Sequence, residues 1–240
     1  MIYRIFRKIF PDKFIRTLKH RLGIPNQQNS FIRLKKLGFN PVSILDIGAY
    51  EGNWAEELHH IFPSAKIMMI EGQESKRAVL DSKSKIIPDS QVNISLLGAE
   101  ENEVEFNIYE SASSIYKEDN ETHAKIESIK LQQLDKIVAD TPFQEADLIK
   151  IDTQGYELEI LKGGTKVLQS AQFVLLEVSL LNIYKGAPLI DEVIVFMKEN
   201  NFLLYDICSL MRRPYDNALF QSDFLFIKAD HPLRTSTRWD

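Results

Sequence analysis

The sequence has one cysteine, Cys208, and lacks both an excess of positive charge and any run of about 18 apolar residues. A single thiol excludes an intrachain disulfide and a cysteine-based metal cluster, and it suits a reducing compartment. Without a long apolar run there is no membrane-spanning helix to expect. The N-terminus also lacks the uninterrupted apolar stretch and small-residue cleavage site of an export signal, so the cytoplasm is the expected location. A formal net charge of −5 and a pI near 5.6 give the body of the chain no reason to seek nucleic acid. Repeats and low-complexity segments are absent, and 240 residues that are 44% hydrophobic suffice for one good core.

The charge that is present is unevenly spread. Residues 1–22 carry Arg4, Arg7, Lys8, Lys13, Arg16, Lys19 and Arg21 against Asp12, a net +6 that leaves −11 for the rest. Between these lie Ile2, Ile5, Phe6, Ile9 and Phe10, then Phe14, Ile15, Leu18 and Leu22, at spacings of three and four. The pattern predicts a basic amphipathic helix, broken at Pro11 and ended by Gly23, Pro25 and Asn26. Such a helix can lie in an anionic membrane interface at the inner membrane face. It can equally pack on its own domain or on a second copy in a homo-oligomer, and amphipathicity does not choose. The expected division is an extension over 1–30, a catalytic domain over 31–232 and a tail over 233–240.

From residue 42 onward, short apolar runs alternate with amphipathic stretches, the pattern of βαβ units. Strands are predicted at 42–47, 66–71, 92–97, 146–151 and 172–177, and helices at 52–62, 73–84, 154–168 and 188–200. Consecutive apolar residues in Ile67-Met-Met-Ile70 and Phe173-Val-Leu-Leu176 indicate strands covered on both faces. Residues 103–109 alternate as a further strand, 111–125 read as a polar insert, and 201–207 with 221–228 read as a last strand pair around Arg212-Arg-Pro-Tyr215. The fold class is α/β: a Rossmann-like, mostly parallel sheet with an antiparallel last strand and helices on both faces.

The first predicted strand runs through Asp46-Ile-Gly-Ala-Tyr-Glu-Gly52 into a helix. Glycines at such a turn tolerate unusual dihedrals and let the backbone approach a ligand. A dinucleotide site has the spacing Gly-x-Gly-x-x-Gly, whereas here Gly-x-x-x-Gly follows Asp46. An acidic residue before the first glycine suits a cofactor with a positive sulfonium and amino group. Glu71 ends the next strand, nineteen positions after Gly52, where a carboxylate can accept from both ribose hydroxyls. Gly98, in Leu97-Gly98-Ala99, is expected near the adenine, although a plain turn explains it nearly as well.

The fourth predicted strand ends at Asp152 and passes through Thr153-Gln-Gly155 into a helix with Glu157. Open α/β sheets bind ligands at the carboxyl ends of their strands, which puts Asp152 in the same crevice, and Lys150 shares its strand face. Methyl transfer to a hydroxyl needs a base near the acceptor, and Asp152 and Glu157 are the candidates. The alternative is that Asp152 caps the helix and Glu157 complements its dipole. Glu177 adds a carboxylate to the rim, and several such acids could instead hold Mg²⁺. No metal site is assigned. Among the histidines only His123, in the polar insert, is placed to approach an acceptor.

These stretches together resemble the FkbM family of methyltransferases over roughly residues 42–228. They are Asp46-Ile-Gly-Ala-Tyr-Glu-Gly-Asn53, Ile70-Glu71-Gly, Lys150-Ile-Asp-Thr-Gln-Gly-Tyr-Glu157, Leu161-Lys-Gly-Gly164, Leu204-Tyr-Asp-Ile207, Arg212-Arg-Pro214 and Gln221-Ser-Asp223. The resemblance implies O-methylation by S-adenosylmethionine of a sugar, glycolipid or related small-molecule acceptor. The cofactor residues are then Asp46, Gly48, Ala49, Tyr50, Gly52, Asn53, Glu71, Gly98 and Asp152, and the catalytic ones Asp152, Glu157 and Lys150. The family's usual Asp-x-Glu-Gly-x-Glu stands here with Gln154 in place of its first glutamate, which weakens any role that needs charge there, metal binding included. The rival readings are an NAD(P)-dependent oxidoreductase, which Tyr50 in place of the middle glycine argues against, and a non-catalytic scaffold on the same fold.

Overall fold

The computed structural model describes residues 22–108, 115, 125–236 and 239. The basic helix predicted over 2–22, apart from Leu22, and nearly all of the insert over 111–125, with His123, lie outside the described residues. In chain order the elements are α1 (Gln27–Lys36), β1 (Ser43–Ile47), α2 (Asn53–Ile61), β2 (Lys66–Glu71), α3 (Arg77–Ser84), β3 (Ser90–Ile94), β4 (Leu96–Leu97), β5 (Glu103–Ile108), β6 (Lys125–Gln132), α4 (Leu134–Val138), β7 (Leu148–Ile151), α5 (Glu157–Lys162), α6 (Thr165–Ser170), β8 (Phe173–Ser179), α7 (Ile190–Glu199), β9 (Phe202–Ile207), β10 (Met211–Arg212) and β11 (Leu219–Lys228).

The main sheet runs β3-β2-β1-β7-β8-β11, with β9 and β10 both paired to β11. β3, β2, β1, β7 and β8 are mutually parallel, and β11 is antiparallel to β8 and β9. Alternate residues of each strand feed two cores, as sheets buried on both faces require. Ile44, Ile67, Met69, Leu148 and Phe173 pack with Phe31 and Leu34 of α1, Ala55 and Leu58 of α2 and Leu80 of α3. Leu45, Ile47, Met68, Ile149 and Val174 pack instead with Leu134, Leu161, Leu168, Val193 and Met197 from α4 to α7. The chain leaves β1 on one side toward β2 and returns on the other as β7, so the crevice between their carboxyl ends lies at the switch point of the sheet.

Three predicted elements differ from the observed ones. The strand expected over 92–97 divides, because β4 leaves the main sheet to pair with β6 in a small sheet ordered β4-β6-β5. The helix expected over 154–168 is two short helices separated at Gly163-Gly164, where a Cβ on Gly163 would lie 2.1 Å from the Gly98 carbonyl oxygen. Third, Glu74–Lys76 forms a 3₁₀ turn ahead of α3. Helices α1 and α4 and strand β6 have no counterpart among the predicted elements. Asn26, read as part of a stop, is the N-cap of α1 and accepts from the Asn29 amide at 3.1 Å. The expected boundary at 30/31 falls inside this helix, between buried Ser30 and Phe31.

Candidate active site

The turn after β1 is held from both sides. Gly48, Tyr50 and Gly52 have positive φ of 71°, 51° and 70°, and only glycine adopts that region without strain. A Cβ on Gly48 would lie 1.9 Å from the Asp152 carbonyl oxygen, so the turn passes directly over the end of β7. The Gly48 and Ala49 amides both donate to the Ile70 carbonyl, at 2.9 and 3.1 Å. Beneath the turn the ammonium of Lys150 donates to the carbonyls of Gly48 at 3.0 Å and Ile47 at 3.4 Å. It also lies 3.0 Å from Asp46 Oδ1 and 3.8 Å from Asp152 Oδ2. Burial alone would lower the Lys150 ammonium, but Asp46 and Asp152 outweigh it and raise it, so the group stays charged. Burial pushes the fully enclosed Asp46 carboxyl up, opposed by Lys150.

Glu71 closes the second side. Its Oε2 accepts from the Tyr50 amide at 2.8 Å and its Oε1 from the Gln73 amide at 3.0 Å. Burial raises the carboxyl, against the pull of these two donors. Beside it opens a crevice of about 210 Å³ that is continuous with solvent. Gly48, Tyr50, Glu71, Asp152 and Gln154 line it on the polar side, and Ile70, Leu96, Leu97, Phe106, Ile115 and Tyr156 form an apolar wall. The small sheet supplies Leu96, Leu97 and Phe106 of that wall, and Leu96 and Phe106 make a third core with Leu131 against Tyr156.

The second turn, Asp152–Gly155, is tied down by Glu157. Its Oε1 accepts from the amides of Thr153 at 2.9 Å and Gly155 at 3.0 Å and from the Thr153 hydroxyl at 3.3 Å. The residue is 4% exposed, and burial raises its carboxyl to about 7. Gln154, at φ 56°, turns its amide to the rim and donates to Asp152 Oδ1 at 3.0 Å and Glu177 Oε2 at 2.7 Å, while the Tyr184 hydroxyl donates to its carbonyl. Gln221 also donates to Glu177 Oε2, at 3.1 Å. Farther along, Gln27 of α1 accepts from Trp54 Nε1 at 2.9 Å and donates to Asp223 Oδ2 at 2.6 Å.

Of the residues selected from sequence, Gly48, Tyr50, Glu71 and Asp152 line the crevice. Asp46 and Lys150 are behind the turn, and Glu157 is behind the second one. Ala49 belongs to the core on the α1 side, and a Cβ on Gly52 would press on Met69 and Lys83. Asn53 is exposed and accepts from Lys83 Nζ at 3.2 Å. Gly98 is not in the crevice wall: it is packed under Leu131, where a Cβ would lie 2.6 Å from Leu131 Cδ1. Ser95, Leu96 and Leu97, just before it in the chain, line the crevice. Gln154, Tyr184 and Gln27 went unselected. Gln154 is marked in the sequence as a departure from a motif, but nothing around Tyr184 or Gln27 signals the contacts they make. Among the described residues no group of three or more His, Cys, Asp or Glu side chains could hold a metal ion.

A parallel sheet of this order, with a glycine turn and a carboxylate at the ends of neighbouring strands, is that of the Rossmann-like methyltransferases. The chain belongs to the FkbM methyltransferase family, whose methyltransferase FkbM domain matches residues 46–204. That match speaks for a methyltransferase over the oxidoreductase and scaffold readings. A hexuronic acid methyltransferase, AglP of Haloferax volcanii, is 29% identical over 84 residues, 32% of this chain and 35% of that one. The match thus spans about a third of that relative's length. Among solved structures, TrmK of M. capricolum, in complex with S-adenosyl-homocysteine, superposes with a TM-score of 0.50 at 12% identity, covering 84% of this chain and 67% of that one. The FkbM methyltransferase of Methylobacillus flagellatus KT gives 0.48 at 16% identity, covering 76% and 43%. At 12% identity the likeness to TrmK is one of fold. No described helix is long and apolar enough to cross a membrane.

Proposed function

We propose that the protein is an S-adenosylmethionine-dependent O-methyltransferase that acts on a hydroxyl of a sugar, glycolipid or related acceptor. The observation that carries this reading is the pairing of bare backbone at Gly48 with the Glu71 carboxylate on one wall of the crevice and an apolar shelf on the other. The donor set fits this cofactor. Glu71 can accept from a ribose diol, Leu96, Leu97 and Phe106 suit a purine, and Asp152 offers negative charge to a sulfonium. The bound cofactor supplies an activated methyl group. Asp46, Lys150 and Glu157 then act through the two turns they hold, while Asp152 stands at the junction of cofactor and acceptor. The name of the AglP relative supports a sugar acceptor.

Calorimetry with S-adenosylmethionine, S-adenosylhomocysteine and NAD tests the cofactor. Binding of the first two but not the third is expected, and heat from NAD alone would overturn the reading. Labelled cofactor mixed with host sugars and lipids tests the acceptor, and label in protein or nucleic acid only would refute it.

The reading extends to a peripheral position on the inner membrane face. The net +6 of residues 1–22 supports it, as do exposed Ile24 and Ile207, which line one shallow groove with Arg33 and Lys36. Full-length protein should float with anionic vesicles, and Arg4→Glu with Arg7→Glu and Lys8→Glu should not. Equal flotation of the two proteins would remove the idea.

A further inference from the structure

Gln154 joins three elements of the rim through one side chain. A primary amide has two N–H donors and one carbonyl acceptor. Here the donors go to Asp152 Oδ1, at 3.0 Å, and Glu177 Oε2, at 2.7 Å, and the carbonyl is fixed by the Tyr184 hydroxyl. Two carboxylates gathered on one amide repel each other, and the pair relieves this by keeping a proton. Their surroundings decide where it stays. Lys150, from β7, faces Asp152 at 3.8 Å, and Asp46 of β1 shares that ammonium. Glu177 is approached by further acids, Asp223 of β11 and Glu157 of α5, and has amide donors in Gln154 and Gln221. Burial, then Asp152 and these acids, push the Glu177 carboxyl well above its ordinary range. The proton of the pair therefore resides on Glu177.

We propose that Gln154 is a positioning residue for methyl transfer, holding Asp152 and Glu177 as a pair that carries one negative charge and one proton. The inference rests on the functional reading above. In the step it serves, the acceptor oxygen bonds to the methyl carbon while the methyl–sulfur bond breaks with its electron pair left on sulfur. The hydroxyl proton passes to the Asp152 carboxylate. Positive charge on sulfur and negative charge on Asp152 disappear together, so the step is balanced. Glu177 stays neutral and does not compete for the proton, because Gln154 fixes both carboxyls in one arrangement.

The test is a ¹³C NMR titration of side-chain carboxyls in the full-length protein, with Glu177→Gln assigning the Glu177 signal. Wild type should show that carboxyl titrating above the usual glutamate range. Gln154→Leu removes both donors to the ionised pair, and Gln154→Glu sets a third carboxyl oxygen against the other two. Each should move the signal upward by about one pH unit, a tenfold change in proton affinity. Tyr184→Phe, which only unfastens the amide, should move it less in the same direction, and it serves if either Gln154 variant fails to fold. An unmoved signal in folded variants overturns the proposal. Calorimetry of wild type with S-adenosylmethionine is scored separately, so loss of cofactor binding would remove the functional reading while the titration still decides the role of Gln154 in the pair.

Discussion

Gly48→Ala tests the central geometric claim, that the first turn lies against the end of β7. Two costs add. At φ 71° an alanine suffers left-handed strain, about 1–2 kcal/mol. Its Cβ would also lie 1.9 Å from the Asp152 carbonyl oxygen, a backbone atom that cannot rotate away. Forcing an atom into such a contact costs about a further 1–3 kcal/mol. Gly38 provides the control, with φ 96° and nothing within 4 Å of its Cβ, so Gly38→Ala carries the strain alone. The difference between the variants isolates the clash, and it should appear as a melting temperature about 2–12 °C lower for Gly48→Ala than for Gly38→Ala. Thermal and urea unfolding of both variants measure it. S-adenosylmethionine calorimetry should find binding retained in Gly38→Ala and lost in Gly48→Ala. Equal stability and equal binding in the two would refute the close approach of turn and strand.

Four further outcomes follow from the same geometry. Glu157 is raised from 4.5 to about 7, so its folded carboxyl keeps a proton that the unfolded chain loses. Its stabilising contribution is complete below pH 4.5 and gone above about 7, at most about 3 kcal/mol. Urea unfolding should therefore fall less steeply between pH 5 and 8 in Glu157→Gln than in wild type. Glu71→Gln keeps the shape but loses charge-assisted hydrogen bonds, and S-adenosylmethionine should bind about 10–100-fold more weakly by calorimetry. Lys150→Met leaves Asp46 buried and unpaired beside an unsatisfied Gly48 carbonyl, a loss of about 3–5 kcal/mol by urea unfolding, partly recovered by adding Asp46→Asn. Phe31→Ala should destabilise by about 3–5 kcal/mol if α1 is integral to the domain, whereas a removable extension predicts no change.

The parallel sheet was legible because apolar runs at 66–71 and 172–177 can be buried on both faces only between helix layers. The two turns were legible from glycine and carboxylate at strand ends. What escaped were elements whose cause lies elsewhere in the chain. β4 is cut from β3 by its pairing with β6, which no pattern within 92–97 records. Helix α1 has low overall hydrophobicity and buries only Ser30, Phe31 and Leu34, so its apolar stripe is too thin to compete with the stop signal read at Pro25-Asn26. The rim escaped for the same reason. Tyr184 reaches Gln154 from the loop after β8, and Gln27 reaches Asp223 across 196 positions.

Lys150 and Asp46 show how a motif can carry function at one remove. A turn with positive φ at Gly48 turns its carbonyl away from the strand ladder, while the Ile47 carbonyl still accepts from the Asp152 amide at 3.1 Å, and a buried carbonyl needs a donor. Lys150 supplies the donor to Gly48 from the neighbouring strand, and its charge in turn needs a buried carboxylate, which Asp46 provides two residues before the glycine. An acid ahead of the glycine is thus required by the turn before any ligand is considered. The same logic runs through the second turn, where Glu157 answers the amides of Thr153 and Gly155. Glu71, Asp152 and Gln154 differ from these in that they hold the turns and also line the crevice: Glu71 accepts from the Tyr50 amide and Gln154 donates to Asp152.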